Sequence, residues 1–105
     1  MKNLFASIPA SLEAERFEEL AGGKDVRIES IVSRGHTSPE CGWYDQPQDE
    51  WVVVLQGRAV LAFEQGEEVT LSTGDHVTIP AHCRHRVKWT DPQQATVWLA
   101  VHFSA

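Results

Sequence analysis

Glu50 and His85 are the residues of this chain whose type and setting point most directly to chemistry. Glu50 opens the run EWVVVL and His85 opens HRVKW, so both stand among apolar, strand-forming neighbours. A carboxylate buried there without a partner costs several kcal/mol, and a buried imidazole needs a hydrogen-bonding group. Two arrangements satisfy them. Either they bond each other or a water and tie the fold together, or they offer a carboxylate oxygen and an imidazole nitrogen to a bound species.

The other reactive residue types read first as structural. His82 lies three residues before His85 and is either a further polar group of that site or, on the preferred reading, a turn residue tolerating unusual backbone angles. His36 reads as a loop histidine, His76 as a surface residue and His102 as a satisfied strand histidine. The two cysteines, Cys41 and Cys83, do not form a CxxC pair and are too few to staple a secreted miniprotein. Reduced thiols are expected, with a Cys41–Cys83 bridge as the open alternative, and Cys83 reads as a small buried thiol. The four tryptophans, Trp43, Trp51, Trp89 and Trp98, either line a ligand pocket or plug the core and an interface. No Ser/His/Asp or Cys/His nucleophile arrangement, phosphate-cradling glycine loop or paired catalytic carboxylate has a local signature.

The elements that must position Glu50 and His85 follow from periodicity. Ser11 to Ala21 (SLEAERFEELA) has good helix formers and Gly22-Gly23 at the C-cap position, so a short helix is expected there. A strand over Arg16 to Ala21 turning at Gly22-Gly23-Lys24 is the alternative. From Val26 onward the period is two. Strands are expected over DVRIESIVS, Trp51 to Leu55, Ala59 to Phe63, Val69 to Leu71, His76 to Pro80, His85 to Thr90 and Thr96 to Phe103, the last with Val97, Leu99, Val101 and Phe103 on one face. Short strands punctuated by turns at roughly 8 to 12 residue intervals, without a long helix, argue for an all-β sandwich or barrel. Pattern alone does not separate a jelly roll from an immunoglobulin-like sandwich or a small barrel.

At 105 residues the chain fits one domain, read as an N-terminal segment 1–24 and a β domain over 25–105. Its net charge of -6 and lack of a basic patch argue against nucleic-acid binding. The N-terminus lacks a secretory pattern and the longest strictly apolar run, Trp51 to Leu55, is too short to span a bilayer. A cytoplasmic protein without a membrane partner is expected.

The segment GDHVTIPAHCRH, Gly74 to His85, resembles the second motif of the cupin superfamily, G-x5-P-x-G-x2-H-x3-N. Gly74, Pro80 and His85 fall in register, while His82 stands at the second Gly and Trp89 at the Asn. Glu50-x6-Gly57 resembles the end of the first motif, G-x5-HxH-x3,4-E-x6-G. Its histidine pair is absent: a three-residue spacer places those positions at Tyr44 and Gln46, a four-residue spacer at Trp43 and Asp45. The resemblance covers about residues 26 to 103 and implies a single cupin jelly-roll barrel.

It also implies a site. In families of this kind two His, a Glu and the second-motif His hold a divalent metal, and here only Glu50 and His85 carry over. Zinc, iron, manganese or nickel would suit imidazole with carboxylate or amide oxygen. Gln46 is the preferred third ligand, since 44, 46 and 50 share the parity of an extended chain, and Asp45 is the rival. Trp43, Tyr44, Trp51, His82 and Trp89 are the candidate lining of a pocket for a small-molecule ligand. The leading expectation is a metal- and ligand-binding cupin with oxygenase, isomerase or lyase chemistry. A metal-free binding or sensor cupin is the alternative. A homodimer is expected, with Asn3 to Leu20 reaching to the partner.

Overall fold

The computed structural model describes residues 2–6, 8, 12–38 and 42–104. Its eight strands are β1 (Arg16–Gly22), β2 (Val26–Ser33), β3 (Asp49–Gln56), β4 (Arg58–Phe63), β5 (Glu68–Ser72), β6 (His76–Ile79), β7 (His85–Thr90) and β8 (Thr96–Phe103). They form a five-stranded sheet in the order β1-β2-β8-β3-β6 and a three-stranded sheet in the order β5-β4-β7, with every pairing antiparallel. The two faces close on one core, a jelly roll.

The run WVVVL lies mid-sheet, where β3 pairs with β8 on one side and β6 on the other. β-branched residues suit a strand that packs on both faces. Val52 and Val54 face the core with Leu61, Phe63, Leu71, Ile79, Trp98 and Ala100. The odd residues of β8 do share a face, and it is the outer one. Trp98, Ala100 and His102 point inward, opposite Val54, Val52 and Glu50 of β3.

The helix expected over Ser11 to Ala21 is not formed where the structure describes it. Ser11 itself lies outside the described residues, and no residue from Leu12 to Ala21 is helical. Residues Arg16–Gly22 are β1, joined to β2 by a hairpin in which the Gly23 N–H donates to the Val26 carbonyl at 2.8 Å. Local helix propensity amounts to tenths of a kcal/mol per residue, and pairing with β2 outweighs it. β1 thus belongs to the same sheet as β2.

Gly57 joins β3 to β4 at φ 101°, and a Cβ there would lie 2.7 Å from the Thr96 Cα. Only glycine fits such a backbone approach. Cys41 lies outside the described residues, and Cys83 is a free thiol.

Candidate functional site

The two sheets bring Glu50 and His85 together. Glu50 projects inward from β3 and His85 from β7, and both are buried. The Nε2 of His85 stands 3.5 Å from Oε1 of Glu50. Its Nδ1 lies 2.9 Å from the Cys83 carbonyl oxygen, which can only accept, so Nδ1 carries a proton. Nε2 can then face a carboxylate favourably only by being protonated too. The geometry favours an imidazolium beside a carboxylate.

The electrostatics agree. Burial alone would raise the Glu50 pKa, but hydrogen bonding to His85, the charges of His102 and His85, and the Gln46 amide outweigh it and hold the carboxyl below its ordinary value. Burial would likewise lower the His85 pKa, but Glu50 and the Cys83 carbonyl outweigh it and hold the imidazole above its ordinary value.

The loop before β3 completes this end of the site. The Tyr44 N–H donates to the His85 carbonyl at 2.8 Å and the Tyr44 carbonyl accepts from His85 at 3.2 Å, which stacks Tyr44 beside the imidazole with ring centroids 5.7 Å apart. The Gln46 amide donates to Oε1 of Glu50 at 3.2 Å. Asp45 takes the opposite direction: it pairs with His82 at 2.8 Å and Arg84 at 3.2 Å on the exposed surface. His82 adopts φ 62° at the motif's Gly position, outside the cavity.

Around the pair opens a cavity of about 450 Å³. Ile31, Val52, Leu61, Ile79, Val87 and Trp98 form its apolar wall, and Tyr44, Gln46, Glu50 and His85 border it. Of the proposed aromatic lining only Tyr44 is there. Trp43 lies under the Arg86 guanidinium, 4.9 Å away. Trp51, one residue from Glu50, points to the outer face and stacks on His76. Trp89 is an exposed residue of β7. Trp51 is one residue out of step with Glu50, which reverses its face, whereas Trp89 is in step with His85 and Val87 and leaves the cavity at the register shift between β4 and β7 that separates the pairs Val60–Trp89 and Leu61–Val87.

Sequence reasoning missed Arg27, Glu29, Trp98 and His102, all of which line the cavity. His102 is buried and bonds Glu29 at 3.0 Å. Trp98 donates from Nε1 to the Ser33 hydroxyl at 3.2 Å. The signal available was parity, since 98, 100 and 102 alternate with the apolar set 97, 99, 101 and 103.

The donors do not make a complete site for a resident divalent ion. Among the described residues no three His, Cys, Asp or Glu side chains are arranged to hold one. One imidazole and one carboxylate remain, with the Gln46 amide already bonded to that carboxylate and His102 bonded to Glu29. Two strong ligands hold a divalent ion weakly.

A family model described as a cupin domain matches residues 31–102. A solved structure from Ralstonia eutropha JMP134, described as a proposed mannose-6-phosphate isomerase, is 47% identical with TM-score 0.95, covering 100% of this chain and 98% of that one. A cupin superfamily protein from Desulfitobacterium hafniense DCB-2 is 21% identical with TM-score 0.75, covering 93% of this chain and 84% of its own. The protein TT1209 from Thermus thermophilus is 17% identical with TM-score 0.79, covering 99% of this chain and 96% of its own. Comparison with curated proteins finds no match.

Proposed function

The chain belongs to the cupin domain family, and from that premise we propose that it binds a small, partly apolar organic molecule in its barrel, against the Glu50–His85 pair. The observation that supports this best is the form of the cavity. About 450 Å³ of space has aliphatic and aromatic walls and a few polar groups converging at one end, the usual make-up of a small-molecule site.

The chemistry available is proton transfer. A ligand oxygen entering beside the pair would accept a hydrogen bond from His85 Nε2, and the Glu50 carboxylate would then be the adjacent base. The Ralstonia protein's description as a proposed isomerase fits such chemistry, and at 47% identity it supports an isomerase-type reading ahead of the oxygenase and lyase readings.

A resident zinc, iron, manganese or nickel ion is not part of this reading, because the donor set is incomplete. Elemental analysis of protein purified without a metal-affinity tag checks this, with metal expected well below one ion per chain. A stoichiometric ion held by the wild type and lost in His85→Ala would replace the reading with a metal-dependent one.

The homodimer is carried forward as a proposal. It is supported by the half-buried apolar side chains Ile28, Trp51, Leu99 and Val101 on the outer face of β2, β8 and β3, and by exposed Phe5 and Phe17 near the N-terminus. No helix among the described residues is long and apolar enough to cross a membrane. A cytoplasmic setting remains the expectation.

The ligand-binding reading is tested by fragment screening with amide and side-chain NMR. Binders should perturb Tyr44, Gln46, Glu50, His85 and Trp98 together. Perturbations confined to Trp43, Trp51 or Trp89 would contradict it.

A further inference from the structure

The inner face of the five-stranded sheet carries one ionic row. Arg27, His102 and Glu50 are successive cross-strand partners on β2, β8 and β3. Two residues further along lie Glu29, Ala100 and Val52, and two further still lie Ile31, Trp98 and Val54. Four residues of strand is about 13 Å, so over the length of a small molecule the cavity passes from ionic to apolar.

The charges of that row are unequally satisfied. The three carboxylates lining the cavity each have a close partner: Glu50 has His85 and Gln46, Glu29 has His102, and Glu15 accepts the Ser33 hydroxyl. Arg27 is the only arginine or lysine among the described residues that line the cavity. Its ion pair is with Glu29 at 4.0 Å, through the same Oε1 that His102 bonds at 3.0 Å. That is the outer limit of contact, and the Arg27 side chain is 49% exposed. Arg27 also borders a second, polar hollow that includes Lys24, so an anion can approach it from the open side.

We propose that Arg27 anchors the anionic end of the cavity's ligand, and hence that the ligand is a small carboxylic acid with an aromatic or branched aliphatic body. The inference rests on the ligand-binding reading above. A guanidinium presents its N–H groups in pairs that match both oxygens of a carboxylate, and such charge-assisted bonds are about twice as strong as neutral ones. The acid's body would then lie along Ile31, Val52 and Trp98, where burial of apolar surface drives binding.

Benzoate and benzamide, near-isosteres that differ in charge, are the probes, with titration calorimetry on wild type, Arg27→Gln, Glu29→Gln and Lys24→Gln. Wild type should bind benzoate about tenfold tighter than benzamide. Arg27→Gln should abolish that preference by weakening benzoate far more than benzamide. Glu29→Gln should tighten benzoate several-fold, because it removes the carboxylate that competes for Arg27, and Lys24→Gln should keep most of the preference. Equal binding of the two probes, or a preference that survives Arg27→Gln, overturns the inference while the cavity reading stands. No binding of either probe to wild type overturns both.

Discussion

Glu50 of β3 and His102 of β8 are direct cross-strand partners, so the buried carboxylate of the cavity has one imidazole beside it on its own sheet and another, His85, facing it from the opposite sheet. The carboxylate is shared between the two halves of the jelly roll. It joins the sheets at the point where the apolar wall of the cavity ends.

That position sets a pH range. His85 is held above its ordinary value of 6.5, so its contribution to stability is complete below that pH and is lost as the pH rises through the folded-state value. Glu50 is held below its ordinary value of 4.5, so its contribution is complete above that pH and is lost as the pH falls through its folded-state value. Urea unfolding should therefore show Glu50→Gln costing most between the ordinary values of 4.5 and 6.5, on the order of 3 kcal/mol for a broken buried pair, and progressively less as the pH rises through the folded-state value of His85, where the imidazole loses its proton. A cost independent of pH would contradict the ion pair.

Gly57 is fixed by sterics. Gly57→Ala places a Cβ 2.6 Å from the Thr96 hydroxyl oxygen at φ 101°, and should cost about 3 kcal/mol from strain and overpacking together. Gly66→Ala, at φ 109° with nothing within 4 Å, should cost about 1 kcal/mol. Thermal or urea unfolding of the two variants checks the difference, and equal costs would refute it.

Gln46 and Asp45 are adjacent in sequence and point to different places. Gln46→Ala should change the His85 titration by removing a bond to its carboxylate partner, whereas Asp45→Ala should leave that titration unchanged and only break the surface contacts to His82 and Arg84. Side-chain NMR titrations distinguish them. An Asp45→Ala variant with a shifted His85 would be the contrary result.

Much of this was legible in the sequence because it rests on local rules. Period-two alternation gave the strands from Val26 onward, and Glu50, Gly57, Gly74, Pro80 and His85 fall at cupin motif positions that the fold bears out. Over residues 16–22 the strand alternative holds and the preferred helix does not, because helix-forming composition is a local property, while pairing with β2 is not. The lining departs from expectation for two reasons: the pleat puts Trp51 on the outer face, and the register shift between β4 and β7 takes Trp89 out of the cavity. His102 and Arg27 join Glu50 through register across β2, β8 and β3, and no local pattern encodes that register.

The outer face of the five-stranded sheet gives a prediction about assembly. Light scattering at micromolar concentration should return about twice the 11.8 kDa chain mass, and Val101→Lys should return the monomer by charging the middle of the apolar face. A wild-type monomer would rule the dimer out.

The most direct test is the protonation state of the His85 ring, read from long-range proton–nitrogen NMR correlations of the imidazoles near about pH 6.5. The account predicts that both His85 nitrogens carry protons, that the signals are unchanged by a metal chelator, and that they become neutral in Glu50→Gln. A neutral His85 whose Nε2 signal moves when chelator is added would show a bound metal ion in place of the ion pair and contradict the account.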